Sequence, residues 1–371
     1  MNKSSNTKSG ITNDIKKLIL YVKIISCIEK QIVLKCFYSN TIHFRKENDM
    51  KLSVLTNLFG DLSLEEALVK FEKLGIEAVE IGCGGYPGKA HCNPEVLLAD
   101  EKALEAWCAT IAKHGMEVCA LSVHGNPVHP DKKIADNFHS DFTNAVLLAE
   151  KLGIDTVITF SGCPGGSPED KTPNWATCAW PDDFLSVLDY QWNDVLIPYW
   201  KKTAEFAKSH GVTKIAFEMH PGFCVYNPET LLKLRAAVGD VIGANFDPSH
   251  LIWQGIDPVA AIRELEGAIY HFHAKDTKID KYNTAKFGVL DTKHYSDEIH
   301  RSWIFRSVGY GNGLDYWRDM ISNLRLVGYD KVMSIEHEDS LMTPEEGLAH
   351  AVEFLKESMI KAPKPGKMSW A

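Results

Sequence analysis

The sequence predicts a parallel (β/α)8 barrel that forms one domain. Short, β-rich apolar runs alternate with amphipathic stretches in which apolar residues recur three and four positions apart. Eight such alternations in roughly 310 residues are typical of this barrel. A doubly wound open sheet is the alternative, but it normally carries a glycine-rich nucleotide loop, and G-x-G-x-x-G does not follow the first strand. The predicted strands are 52–56, 78–82, 118–123, 156–160, 214–219, 242–247, 269–274 and 332–336.

Helix start signals support the helices between these strands. Residues 63–66 and 343–346 have the S/T-x-x-E spacing of a capping box, and the second also has proline at the first helical position. Residues 227–228 and 257–258 combine a capping Asn or Asp with a following proline. Each signal falls between two predicted strands, as the barrel requires.

The two ends of the chain differ from its centre. Residues 1–49 are rich in Lys, Ser, Asn and Ile and show no repeating pattern, whereas Met50 opens the first predicted strand with no linker before it. We expect residues 1–49 to be a disordered extension or, preferably, the product of a start codon assigned too far upstream. The barrel is predicted to span 50–362, followed by a tail at 363–371.

Composition excludes several classes of function. The formal net charge of -9 argues against duplex nucleic acid and against an anionic membrane surface as partners. No apolar run is long enough to predict a transmembrane helix. The nine cysteines are scattered, with no C-x-x-C pair, which indicates reduced thiols in a cytoplasmic protein.

Two connections are longer than simple links between a strand and a helix. Residues 161–181 follow the fourth strand, and residues 276–312 follow the seventh. Loops of this length in a barrel are usually functional, and both begin at the carboxyl ends of strands, where barrel active sites lie. We therefore predict that both are lids over a pocket.

Ligand-type side chains follow the last four strands. Glu218, Asp247, His273 and Glu336 each lie at or near the end of one of these strands. Charged residues are rare on apolar strands unless they are paired or bind a metal. Separate ion pairs are the alternative, but four consecutive strands favour one site. Three carboxylates and one imidazole suit a divalent ion, with Mn²⁺ expected first and Mg²⁺, Co²⁺ or Zn²⁺ compatible.

The same segments resemble a known family. EMHPGFCVYNPETL, NFDPSHLIWQGIDP, HFHAKDTKID and SIEHED resemble the xylose-isomerase-like sugar isomerase/epimerase superfamily, over roughly Met50 to Lys361. The resemblance implies that Glu218, Asp247, His273 and Glu336 bind the metal. It also implies that the two glutamates are the proton-transfer pair, and that His250 of the D-x-x-H motif contacts the substrate.

The resemblance implies an isomerase or epimerase of a small sugar or polyol in carbohydrate metabolism, acting through an enediolate. His220 departs from the simpler epimerases, because the E-x-H-P-G segment is closer to barrels that cleave or dehydrate keto-sugars. His220 is therefore a further catalytic candidate, with a hydrogen-bonding role as the alternative. A metal-dependent lyase or dehydratase acting on a keto-sugar, keto-inositol or keto-glycoside, including C-glycoside cleavage, stays open.

Four further residues are candidates for substrate binding: His124, Lys275, Trp180 and Arg306. Each has an ordinary structural alternative, such as strand-end capping, pairing with a neighbour, or loop packing. Two other functions remain: an endonuclease acting at apurinic sites, which the acidic charge disfavours, and a non-catalytic protein that binds metal and sugar. A homo-oligomer or a partner subunit is possible, and the sequence indicates no interface for either.

Overall fold

A computed structural model describes residues 50–361, so the predicted extension at 1–49 and the tail at 363–371 lie outside the described residues. Eight parallel strands close into a barrel in the order β1-β10-β7-β6-β5-β4-β3-β2. The predicted (β/α)8 barrel is confirmed. The strands are β1 Lys51–Leu55, β2 Ala78–Gly82, β3 Glu117–Ser122, β4 Thr156–Thr159, β5 Lys214–Glu218, β6 Ile242–Phe246, β7 Ile269–Ala274, β8 Asp276–Ile279, β9 Trp303–Arg306 and β10 Val332–Ile335.

Helices connect the strands on the outside of the barrel. A π-helical segment, Tyr190–Leu196, joins two of them into one continuous helical stretch. None of the helices within residues 50–361 is long and apolar enough to cross a membrane. The helices are Leu64–Leu74, Pro94–Ala99, Glu101–Lys113, Lys132–Leu152, Asp183–Asp189, Ile197–Ser209, Pro228–Val238, Pro248–Trp253, Pro258–Glu264, Lys281–Phe287, Leu314–Leu326 and Pro344–Ser358.

The helix starts are fixed where the sequence predicts. Ser63 and Glu66 form a reciprocal capping box, and Asn227 caps its helix in the same way with Thr230. Thr343 accepts a hydrogen bond from the backbone N–H of Glu346. Each such cap contributes about 1 kcal/mol, because it satisfies backbone donors that the helix itself leaves free.

Apolar side chains of the strands and helices form one large core between the two layers, with Trp200, Trp317 and Phe71 among the largest fully buried members. The strands are buried on both faces, as is typical of parallel sheets. The packed strands of the barrel set the positions of the residues that follow the strand ends.

The two long connections differ in structure. Residues 276–312 contain β8 and β9, which pair antiparallel, with the helix Lys281–Phe287 between them. Residues 161–181 contain no helix or strand. Asp276 fastens the base of the first connection, since its carboxylate accepts hydrogen bonds from the backbone N–H groups of Gly309, Gly311 and Asn312 at 3.0, 3.1 and 2.9 Å.

Candidate active site

The four predicted metal ligands converge at the carboxyl ends of four neighbouring strands. Glu218 ends β5, Asp247 follows β6, His273 lies near the end of β7 and Glu336 follows β10. One ligand atom from each lies within 4.8 Å of those from the other three. The barrel order β10-β7-β6-β5 explains the convergence, because each strand adds one inward side chain to the same mouth.

Several atoms of this cluster lack hydrogen-bond partners. Asp247 Oδ2, His273 Nδ1 and Glu336 Oε2 are buried and find none within residues 50–361. His273 Nδ1 lies 2.8 Å from Glu336 Oε2 and 3.3 Å from Glu218 Oε2, without hydrogen-bond geometry. Buried acceptors left unpaired are costly, and a shared cation removes that cost. The donor set therefore fits a divalent ion.

Local structure aims Asp247 at the cluster. Its side chain caps the helix Pro248–Trp253, with Oδ1 accepting the backbone N–H of Ser249 at 2.8 Å. Oδ2 is left pointing to the other ligands. Burial raises the pKa of Asp247 to about 6, although His250 and Lys275 oppose that shift.

Glu218 is held by histidines on both of its oxygens. His250 Nε2 donates to Oε1 and His124 Nε2 donates to Oε2, each at 3.0 Å, and Asn245 Nδ2 lies 3.3 Å from Oε2. Burial would raise the pKa of Glu218, but the hydrogen bonds from His124 and His250 hold it well below its usual range. Glu218 is therefore a fixed, charged carboxylate.

The loop after β2 packs tightly on His124. Gly85 has a φ of 62°, and a Cβ atom there would lie 1.9 Å from the carbonyl oxygen of His124. Tyr86 donates its backbone N–H to the same oxygen at 2.8 Å. This contact fixes the backbone of His124 while its ring reaches Glu218.

Lys275 is the cation nearest to the carboxylates in the described part of the chain. Its Nζ lies 2.6 Å from Glu338, 3.6 Å from Glu336 and 3.9 Å from Asp247. Burial would lower the pKa of Lys275, but the acidic groups, Glu336 first, hold it well above its usual range. For Glu336 the direction is the opposite: burial would raise its pKa, but Lys275 and His273 lower that pKa to about 2. Both groups are charged at neutral pH.

His220 lies beside the cluster with one ring nitrogen engaged. Its Nδ1 donates to the carbonyl oxygen of Pro221 at 2.5 Å, which leaves Nε2 as an acceptor. The ring lies 4.0 Å from that of His250 and 5.0 Å from that of Phe160. Burial, together with His250, lowers the pKa of His220 to about 3, so the imidazole is neutral. A neutral imidazole with a bare nitrogen is suited to accept a hydrogen bond from a hydroxyl group.

The structure places Trp180 and Arg306 apart from this arrangement. Trp180 is 80% exposed in the connection after β4. Arg306 donates its Nε–H to Asp339 Oδ2 at 3.0 Å and stacks on Tyr310, which ties two loops together. Their contact with a substrate stays a prediction.

One residue of the site lies outside the predicted set. Glu80, in β2, is fully buried and accepts hydrogen bonds from the Nε2 atoms of His271 and His273. Burial would raise its pKa, but the two histidines hold that pKa well below its usual range. A charged residue in the middle of the apolar run AVEIG is the signal that could have identified it.

The comparison with protein families agrees with this geometry. The profile of the xylose isomerase-like TIM barrel family matches residues 68–358. The chain belongs to this family. The resemblance inferred from the four sequence segments is thereby confirmed.

Relatives in the xylose isomerase-like family span most of the chain. The uncharacterized protein YfiH of Bacillus subtilis is 42% identical over 313 residues, covering 84% of this chain and 99% of its own. An inosose dehydratase of Mesomycoplasma hyopneumoniae is 23% identical over 310 residues, covering 81% of this chain and 91% of its own.

Solved structures share the fold of this family member. The IolI protein with a bound zinc atom has a TM-score of 0.57 at 19% identity, covering 83% of this chain and 98% of that one. L-ribulose 3-epimerase has a TM-score of 0.55 at 17% identity, covering 84% of this chain and 94% of that one. The proteins that this chain is similar to therefore include an epimerase and a dehydratase.

Proposed function

We propose that the protein is a divalent-metal-dependent isomerase or epimerase that moves a proton at the carbon beside a carbonyl of a small sugar or polyol. The observation that carries this proposal is the placement of two charged carboxylates. Glu218 is the last residue of β5, and Glu336 is the first residue after β10. Strands β6 and β7 lie between β5 and β10 in the barrel. They reach the cluster from strands that are not neighbours in the barrel, which suits proton transfer on two faces of a bound substrate.

Glu218, Asp247, His273 and Glu336 would hold the ion, because one ligand atom of each lies within 4.8 Å of the others, and all but Glu218 have a buried acceptor atom without a hydrogen-bond partner. A bound ion supplies a Lewis acid that polarises a carbonyl oxygen and stabilises the negative charge that develops as a proton leaves. We propose Mn²⁺ as the bound ion. Zn²⁺ is the second candidate, because the IolI structure contains a zinc atom.

The residues around the ion have separate tasks. The side chain of Glu336 is 16% exposed, so its carboxylate is the one that a substrate in the mouth would meet first. Glu218 is 3% exposed and is oriented by His124 and His250, which suits return of a proton at a fixed position. Lys275 Nζ is a permanent hydrogen-bond donor for a substrate oxygen.

A lyase that removes water from a keto-polyol is the second candidate, and His220 is the observation that favours it. Dehydration needs a base for the proton and a donor for the departing hydroxyl group. The carboxylate of Glu336 and the ammonium group of Lys275 meet these needs in one site, and the bare Nε2 of His220 can hold the departing hydroxyl group by accepting its hydrogen bond. The similarity to an inosose dehydratase along most of both chains supports the same reading.

The test follows proton exchange in deuterated water by NMR, with ketoses and inososes as substrates. The protein is stripped with a chelator and reloaded with Mn²⁺, Co²⁺ or Zn²⁺. Metal-dependent deuterium at the carbon beside the carbonyl, with no loss of water, supports the isomerase or epimerase. Loss of water identifies the lyase, and failure of the parent to bind any ion would contradict both.

Variants separate the two reactions. Glu218→Gln and Glu336→Gln should each lower the rate of either reaction by about 10²–10⁴-fold, as expected for loss of a proton-transfer group. His220→Gln should abolish dehydration but leave epimerisation within a few-fold of the parent. Glu205→Gln, on the exposed face of the helix Ile197–Ser209, is the control and should change neither.

A further inference from the structure

Glu80 occupies the side of His273 that faces away from the proposed ion. Its Oε1 and Oε2 lie 3.0 and 2.9 Å from His273 Nε2, whereas His273 Nδ1 faces Glu218 and Glu336. The same carboxylate accepts from His271 Nε2 at 2.8 Å. One imidazole therefore lies between a buried carboxylate and the candidate metal ligands.

The proton positions follow from hydrogen-bonding chemistry. A charged carboxylate only accepts hydrogen bonds, so His273 must carry its proton on Nε2. In the neutral ring Nδ1 then has a free lone pair, and Nδ1 finds no hydrogen-bond partner within residues 50–361. This is the form of histidine that binds a metal through Nδ1.

We infer that Glu80 is a positioning residue that locks His273 in its Nε2–H form and so presents Nδ1 to the ion. The inference rests on the proposed metal-dependent function. A carboxylate behind a metal-binding histidine fixes the ring and raises its basicity as a ligand. Glu80 does so across the barrel, from β2 to β7, which are not neighbours in the strand order.

The surroundings of Glu80 keep its carboxylate in one orientation. Ser334 Oγ of β10 donates to Oε2 at 2.7 Å, and Ser122 Oγ of β3 donates to Oε1. With the two histidines, both oxygens are saturated by donors from three different strands. These donors occupy both oxygens of the carboxylate, so we assign Glu80 as the support behind His273.

Glu80→Gln is the direct test. The amide keeps the shape of the side chain but replaces one acceptor with a donor, so it cannot accept from both histidines and both serines. His273 should then partly adopt the Nδ1–H form. We expect Co²⁺, followed by its visible absorption during titration, to bind about 10–100-fold more weakly than to the parent.

A second measurement needs no catalytic activity and no ion. Nitrogen-15 NMR of the metal-free parent, recorded at a pH at which the His273 imidazole is neutral, distinguishes Nε2–H from Nδ1–H. The His273 signals are identified by their loss in His273→Gln. We expect Nε2–H in the parent and a mixture in Glu80→Gln. Nδ1–H in the parent would overturn the inference whether or not any Glu80 variant folds.

Glu150→Gln is the matched control, because it makes the same exchange at a carboxylate that pairs with a histidine, His210, at 2.7 Å on the outside of the barrel. It should bind Co²⁺ like the parent. If Glu80→Gln also binds Co²⁺ like the parent, the role of Glu80 is wrong while the metal site stands. If the parent binds no Co²⁺, the proposed function itself fails.

Discussion

At the scale of single residues, the two nitrogens of His273 lie in opposite environments. Nε2 faces the carboxylate of Glu80, whose acceptors are filled, and Nδ1 faces the Oε2 atom of Glu336, which has no donor. An uncompensated set of buried carboxylates is destabilising, so each charge in the cluster needs a cation or a donor nearby. His124, His250 and Lys275 supply part of that compensation, and the remaining acceptors converge on one point.

The double variant Glu218→Ala, Glu336→Ala should lose a stoichiometric divalent ion that the parent retains, because two of the four converging ligands disappear. Elemental analysis of both purified proteins after dialysis against Mn²⁺ measures this. His337→Gln is the matched control: it adjoins Glu336, but its ring lies against Ser307 at 3.2 Å, so the ion should remain. Equal metal content in parent and double variant would contradict the site.

At the scale of elements, the periodic signals predicted the barrel strands to within one residue at either end. Local patterns also predicted which four side chains converge, because each belongs to the end of its own strand. The pairing of Glu80 with His271 could not be predicted in this way, because the two residues lie 191 positions apart and meet across the barrel. The hairpin of β8 and β9 was missed for a related reason, since tertiary contacts at Asp276 hold its base.

Asp276→Asn should weaken the connection 276–312, because the amide nitrogen cannot accept from the backbone N–H groups that the carboxylate now satisfies. Leaving one or two buried donors unpaired costs about 2–3 kcal/mol. Gly311 fits tightly against this carboxylate, with a Cβ there only 2.4 Å from Oδ1. Urea unfolding measures the loss in the free energy of unfolding, and limited proteolysis should show earlier cleavage within 276–312.

Asp280→Asn is the matched control in the same connection. Asp280 caps the helix Lys281–Phe287 through the backbone N–H groups of Tyr282 and Asn283, and asparagine caps nearly as well. Unfolding and proteolysis of this variant should therefore match the parent. An Asp276→Asn protein as stable as Asp280→Asn would show that the carboxylate is not what fastens the connection.

At the scale of the whole molecule, the candidate ion site joins distant parts of the chain. Its candidate ligands come from β5 and β7 and from the residues that follow β6 and β10, so they meet only when the barrel is closed. An unfolded chain does not bring these side chains together. Binding therefore favours the folded state by mass action, and the barrel and the ion should stabilise each other.

The midpoint temperature of thermal unfolding, Tm, of the metal-free protein should rise as a divalent ion is added. At a free concentration 100 times the dissociation constant, the gain is about 2.7 kcal/mol, which corresponds to roughly 5 °C for a large domain. Calorimetry with increasing Mn²⁺, Co²⁺ or Zn²⁺ would rank the ions by their shift. Sodium chloride at equal ionic strength controls for screening, and the Glu218→Ala, Glu336→Ala variant should show no shift. An identical Tm with and without each ion would mean that the four side chains meet without forming a metal site.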